Sequence, residues 1–446
     1  MNYMTKLINK YKKDIIIFII SFIILSIFSI FQKITTDVIW SYGFSYNILK
    51  ENIPYKDFNM IIGPLYSLFN SIPLLIFGNN MIIFKLTHTL IYSLILTIAY
   101  KKINKKIIWI ILILMIQTTL CWYNTLIGML IILILILKDT NIKKKDLYIG
   151  LIIGFIMMTK HNVGIMLFIT YFITSQDKVR NTIYFLIPIS IGLIYLIINN
   201  TFINYIEFCF LGLGNFIENI RIVPSSLIIT ILIIIYLTIK YIKTKDTKIL
   251  YVYASLIILF PLVEINHLLT VILILSYYIL LKEKNILILS IGKIIVTIYL
   301  ISIIINQLNN IEIITSGNHI KYNTEKKDIN KNLKSYSKYI NKKNIYLFID
   351  NAYLVKIYND QEPTFYDLLN KGNLGRNEKE YITKIDKKCK KEECTFILDA
   401  EYFDKKSYGY GWQYIIDFKD YVVNNYKYIE TLPTKDKVYT NKKVNE

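Results

Sequence analysis

The sequence predicts an all-α polytopic membrane domain of about 11 transmembrane helices, followed by a small α/β domain. Composition is the first observation behind this. Of the 446 residues, 54% are hydrophobic and the mean hydropathy is +0.42, above the ~45–50% apolar content of ordinary soluble domains. The excess is concentrated in residues 14–305, in runs such as DIIIFIISFIILSIFSIF and MLIILILILK; about 20 apolar residues in a helix cross a bilayer. The second observation is a break near Asn306, after which Lys, Asn, Tyr, Asp and Glu take over. The expected units are therefore a membrane domain over 1–305 and an accessory domain over 306–446. The third observation, the placing of lysine, sets the topology.

The net charge of +20 divides unevenly. Residues 1–305 hold 27 basic and 12 acidic residues, leaving 25 and 20 for the remainder of the 52 and 32. Within the first part the lysines cluster at Lys6 to Lys13, Lys101 to Lys106, Lys138 to Lys145, Lys178 with Arg180, Lys240 to Lys248, and Lys282 with Lys284. Short cytoplasmic loops collect Lys and Arg. Placing every cluster inside gives spans near 14–32, 80–100, 107–120, 123–137, 147–159, 163–175, 182–199, 225–240, 249–263, 267–281 and 285–305. The N-terminus is then cytoplasmic and the C-terminal domain extracytoplasmic, in a multi-pass protein of the plasma membrane. The first span has no small-residue cleavage site after it and is too long for a signal-peptide core, so it is expected to be retained.

The first outer loop, 33–79, is large. Its second half, MIIGPLYSLFNSIPLLIFG (60–78), is apolar enough for a span, but crossing there would turn Lys101 to Lys106 outward. Gly63, Pro64 and Pro73 also interrupt it. Residues 36–78 are therefore expected to form one loop with helices lying in the membrane interface; a twelve-span arrangement is the alternative.

This topology sorts the polar residues. Asp37, Glu51, Asp57, Glu207, Glu218 and Glu264 fall outside. WYNT (122–125), TKHN (159–162) and EINH (264–267) sit at outer ends of spans. Ionisable groups near membrane depth are costly and generally face a cavity or one another, so the outer face is expected to hold a polar site. In the C-terminal part NIYLFID (344–350) and CTFILDA (394–400) have strand character, while NAYLVKIY and WQYIIDFKDYVVNNY have helical spacing. YDLLNKGNLGRN (366–377) has loop character. Cys389 and Cys394 can pair if their domain lies outside the cell; two free thiols are the other reading. No cysteine pattern has zinc spacing.

The stretch DVIWSYGFSYNILKENIPYKDFNMIIGPLY resembles the GT-C superfamily of membrane glycosyltransferases, in the branch of protein O-mannosyltransferases and aminoarabinose transferases. The family opens its outer loop with Asp, continues with a G-x-x-P-Y-x-D-F phrase and starts the next helix with P-L-Y; here Asn52 replaces the glycine. MMTKHNVG (157–164) resembles its T-K-x-x-x-G phrase, and FPLVEINHL (260–268) its P-R-x-D-x-x-H phrase, with Leu262 at the Arg position and Glu264 at the acidic one. Val38 stands where many members carry a second acid, and the next outer loop offers only Asn124 where an acid is common.

The resemblance implies transfer of a sugar from a polyprenyl-phosphate-linked donor to an acceptor hydroxyl of a glycan, lipid or protein on the outer face, with no part for nucleic acid. Such chemistry needs a base near the anomeric carbon, and a buried carboxylate serves. Asp37 is the candidate. Its other reading is a helix cap. Cationic groups or a divalent metal must meet the charge on the departing phosphate. Lys160, His267 and Arg221 are the candidates, with Lys160 as a snorkelling interfacial lysine the plainer reading. Glu264 and His267, three apart, share a helix face, but two ligands do not make a metal site. Asp57 either contacts substrate or fixes the YKDFN turn. Tyr42 and Asn124 are further candidates for donor or substrate contact, with an aromatic belt the competing role for Tyr42. A lipid-linked sugar flippase, a cell-envelope glycan polymerase and a non-enzymatic scaffold are the rival functions.

Overall fold

The computed structural model describes residues 3–32, 35–117, 119–212, 221–282, 313–316, 320–323, 333–342, 344–349, 352–368, 375–376, 379–400, 403 and 413–441. The expected last span, 285–305, and Glu218 lie outside these residues. The protein is mostly helical, with a small sheet region near its C-terminus.

Helix α1 (Tyr3–Phe31) ends near a long connection containing α2 (Thr36–Leu49) and α3 (Pro64–Phe77). Helix α4 (Met81–Ile103) starts on Asn80, whose side chain accepts hydrogen bonds from the Ile82 and Ile83 amides, a standard N-cap. It then runs back along α1 and ends in Lys101 and Lys102. Lys101 lies 2.8 Å from Asp14, so the start of α1 and the end of α4 share one end of the bundle.

The alternation continues through α5 (Ile107–Ile116), α6 (Tyr123–Lys138), α7 (Lys145–Met157), α8 (His161–Ile173) and α9 (Lys178–Ile198). After the short α10 (Phe202–Ile206) come α11 (Pro224–Thr244), α12 (Lys248–Ser255) and α13 (Ile265–Lys282). At the lysine end Lys102 donates to the Asp139 carbonyl (2.9 Å), Lys106 to the Leu280 carbonyl (3.1 Å), and Lys282 lies 3.2 Å from Asp246. Lys248 pairs with Asp139. Cations at helix C-termini are favoured by the helix dipole, which suits Lys101, Lys138 and Lys282 at the last turns of α4, α6 and α13.

Among the described residues, five stretches are long and apolar enough to cross a membrane: Tyr11–Phe31, Met81–Ile116, Lys178–Ile198, Pro224–Thr244 and Ile265–Lys282. Helices α6, α7 and α8 match the expected spans in length and lie within two residues of their bounds, whereas α12 stops at Ser255, short of the expected 263. Their polar ends, including WYNT and TKHN, turn before a full bilayer thickness is reached.

Helix α3 begins and finishes against neighbouring turns. At its start the Gly63 amide donates to the Thr159 carbonyl (2.9 Å) at the α7–α8 turn, and at its end Gly78–Asn80 leads directly into the start of α4. Both its ends therefore lie at the end of the bundle opposite the lysines. Fourteen residues give about 21 Å of helix, short of the ~30 Å hydrocarbon core. One flank stays bare, with Leu75 74% and Phe77 71% exposed.

The C-terminal region carries a four-stranded sheet in the order β5-β6-β8-β7. Strands β5 (Ile345–Phe348) and β6 (Thr395–Leu398) are parallel, while β7 (Lys427–Thr431) and β8 (Lys437–Thr440) form a hairpin antiparallel to β6. It is preceded by a separate hairpin, β3 (Ile313–Ser316) with β4 (Ile320–Asn323). Helices α14 (Ser337–Ile340), α15 (Ala352–Tyr358), α16 (Lys379–Cys389) and α17 (Gln413–Asn425) complete the unit. Cys389 and Cys394 form a disulfide, closing α16 onto β6.

This unit docks on the outer loop. The Tyr353 ring of α15 lies against Gly43 of α2, where a Cβ would come within 2.4 Å of it, and meets Phe44 edge-on at 5.9 Å. Its hydroxyl donates to the Asn59 carbonyl (3.1 Å), and the Asn59 side chain donates to the Leu368 carbonyl (2.6 Å).

Candidate functional site

The three polar phrases picked out in sequence meet at the end of the bundle opposite the lysines. Asp37 enters from the first turn of α2. Thr35 holds the N-cap position, so Asp37 is not the cap. Asn124 comes from the first turn of α6, Lys160 from the turn between α7 and α8, and Glu264 with His267 from the start of α13.

Two glycines permit this convergence. A Cβ on Gly63 would stand 2.1 Å from the Met158 carbonyl oxygen, and one on Gly164 would stand 2.3 Å from the Met157 Cα. The first lets α3 begin against the α7–α8 turn. The second lets α8 fold tightly onto α7, with the Lys160 amide donating back to the Ile156 carbonyl (2.7 Å). Lys160 is thereby fixed where two helices reverse.

Its ammonium donates to Asn124 Oδ1 (3.2 Å) and to the Ile258 carbonyl (3.1 Å), and lies 5.9 Å from the Tyr123 ring centre. Burial pulls the Lys160 pKa down to about 7, against the pull of Asp37's negative charge. Asp37 shows the reverse. Burial, then the Glu264 charge, push its carboxyl up to about 7, while Lys160 draws it down. The two groups are thus poised at neutral pH by the same cause, removal from water, which disfavours charge of either sign.

His267 Nδ1 lies 3.3 Å from Glu264 Oε1, and its ring meets Trp122 edge-on at 5.4 Å. The Trp122 indole N–H donates to Thr125 (2.7 Å), which donates to Gln117 (2.9 Å), so the aromatic wall is anchored from below. Among the described residues, no group of three or more His, Cys, Asp or Glu is placed to hold a metal ion. The positive charge beside the two carboxylates is Lys160.

Other expected residues lie elsewhere. Tyr42 is fully buried between α2 and α4, with its hydroxyl 3.2 Å from Asn79 Oδ1 and its ring on Phe84. Asp57 is exposed and accepts from the Ile53 amide (2.8 Å), closing the YKDFN turn. The backbone of Arg221 in β1 (Arg221–Ile222) pairs in register with Leu262 of β2 (Leu262–Val263), two residues before Glu264. The position facing Leu262 is therefore an arginine, contributed from another strand.

Tyr66 and His88 were not singled out by sequence as site residues, yet they back the cluster. The Tyr66 hydroxyl is 3.0 Å from His88 Nε2, and His88 Nδ1 is 2.9 Å from the Phe84 carbonyl, which makes Nδ1 the protonated nitrogen and Nε2 the acceptor. The Tyr66 ring meets Tyr123 edge-on at 6.2 Å. The faint sequence signal was the GPLY phrase itself. No family model, curated protein or solved structure matches this chain.

Proposed function

We propose that the protein is a membrane glycosyltransferase of GT-C type with about 11 spans, 285–305 being the last. It moves a sugar from a polyprenyl-phosphate donor to an acceptor hydroxyl on the outer face of the plasma membrane. The observation that carries the reading is Asp37, a half-buried carboxylate near Lys160 and Glu264 whose pKa is raised to about 7. A general base works best with a pKa near the operating pH. The acceptor hydroxyl gives its proton to Asp37 as its oxygen bonds to the anomeric carbon. The bond from that carbon to the phosphate oxygen breaks, and the carrier phosphate leaves with the electron pair. Lys160 meets the negative charge that develops there, and Arg221, whose backbone pairs with Leu262, is a second candidate for that phosphate. Glu264 holds Asp37's proton affinity up, and His267 packs that carboxylate against Trp122.

The orientation has two supports. All the lysine clusters within the described part of the bundle gather at one end, as the positive-inside tendency requires of a cytoplasmic face. The Cys389–Cys394 disulfide suits an oxidising exterior for the C-terminal domain.

The test is transfer of radiolabelled sugar from polyprenyl-phosphate donors in membranes. Wild type should transfer, and D37N should lose about 10²–10⁴-fold, the usual worth of a positioned base. Equal rates would remove Asp37 from the chemistry. Movement of lipid-linked sugar across vesicles without transfer would replace the enzyme with a flippase.

A further inference from the structure

The C-terminal region grips the membrane part at a second point, and that point leads back to the site. Glu207 accepts three hydrogen bonds from Arg376. The backbone amide (2.8 Å) and Nε (3.1 Å) reach Oε1, and Nη2 (3.1 Å) reaches Oε2. Gly375 permits the approach: its φ is +76°, and a Cβ there would stand 2.6 Å from the Glu207 Cγ. Beside the clamp, the Phe208 ring packs against Phe365 (5.7 Å) and Tyr381 (6.2 Å) of the C-terminal region.

Glu207–Leu211 is a π-helical turn directly continuing α10. In an α-helix residues three apart fall on nearly one face; the wider i→i+5 winding sets Glu207 and Phe210 apart. Such turns recur at functional sites. Here Glu207 and Phe208 meet the C-terminal region, while the Phe210 ring lies against the His161 ring, tilted by 34° with centres 4.4 Å apart. Tyr205 pins the turn from below, its ring against both Tyr55 (5.5 Å) and Phe210 (5.4 Å). His161 is the next residue after Lys160. Two contacts, joined by the π-helical turn and by the His161–Lys160 peptide, therefore link Arg376 to the cation of the site.

We propose that Arg376 is a positioning residue for Lys160, acting through Glu207, Phe210 and His161. The docked C-terminal domain holds the Lys160 ammonium among Asp37, Asn124 and Tyr123; releasing the clamp frees the α7–α8 turn. What Lys160 does in catalysis rests on the function proposed above, but its positioning is measurable without it.

The experiment follows the pH midpoint of Lys160 labelling by an amine-reactive reagent, read by mass spectrometry on the full-length protein in membranes. The groups facing Lys160 are Asp37, Tyr123, His161, Glu264 and His267, and none is altered. Wild type should label with a midpoint near pH 7. R376E and E207R should each move the midpoint upward, toward that of an ordinary lysine near 10.4, and cut labelling at pH 8 about tenfold. The double exchange E207R/R376E should restore the wild-type midpoint. R376K keeps the charge and loses the fork; it should give an intermediate midpoint, and it carries the test if the reversals do not assemble. An unmoved midpoint in the single variants, or no rescue in the double, overturns the proposal. In parallel, sugar transfer should fall in the single variants and return in the double. A full labelling response with no transfer in wild type would leave the coupling intact and sink the enzyme reading instead.

Discussion

The two ends of the helical bundle carry similar residue types in opposite states. At the lysine end the charges are answered. Lys248 meets Asp139, Lys282 meets Asp246, Lys101 meets Asp14, and Lys102 and Lys106 cap helix carbonyls. At the other end Asp37, Glu264 and Lys160 share a half-buried corner where the two carboxylates repel each other and Lys160 attracts Asp37. Paired, partly wet charges do little beyond fixing helix ends. Charges held together against desolvation cost stability and are expected where chemistry needs them. The difference is the physical ground for proposing one end as functional and the other as architectural.

That contrast can be broken in several places. The largest effect is expected from D37N, with the transfer loss already given. Next, K160A should cost about 10²–10³-fold in transfer, the scale of one lost electrostatic stabiliser. The wild-type rate should be bell-shaped in pH with its summit near 7. Raising pH through about 7 ionises Asp37 and builds the base, while the same rise strips the proton from Lys160 and removes the cation. K160R, always charged, should erase the alkaline limb and leave the acidic one; a profile unchanged in K160R would detach Lys160 from that limb.

Stability sharpens the comparison further. D367N breaks the Lys356–Asp367 pair (2.6 Å), whose partners are only 5% and 1% exposed. Thermal unfolding of the C-terminal region should register a loss of about 3–5 kcal/mol, the cost of an orphaned buried charge. G63A forces a Cβ against Met158 and should cost about 1–3 kcal/mol, as overpacking does, with transfer falling alongside. The smallest effect is expected for K101A at the lysine end. Its pair with Asp14 is half exposed, so less than about 1 kcal/mol should be lost and transfer should not change; a large loss of transfer there would undo the contrast between the ends.

Much of this arrangement is legible in the sequence because its signals are local. Lysine clusters mark helix ends, and the phrases WYNT, TKHN and EINH, with Asp37, stand at the opposite ends. Alternating helices must bring such ends together. GPLY and NVG announce close approaches because only glycine permits them. The strands at NIYLFID and CTFILDA are equally local, set by short apolar runs between polar neighbours. What stays hidden depends on distant partners. Nothing near Tyr42 reveals that it packs on Phe84 rather than facing the site. Glu207 and Arg376 are 169 positions apart, and YDLLNKGNLGRN has the character of a loop until its arginine is seen on the carboxylate. The end of α12 also escapes composition: the helix stops at Ser255, eight residues before the expected end at 263.

The bare flank of α3 has a practical consequence for anyone handling the protein outside a bilayer. A detergent belt gathers around the waist of a bundle, whereas Leu75 and Phe77 project from a short helix at its rim. Purified in small micelles, that rim is the first surface left uncovered and the natural point for two molecules to stick together. A lipid nanodisc, whose headgroup edge reaches to the rim, should keep the protein monodisperse where short-chain detergent does not.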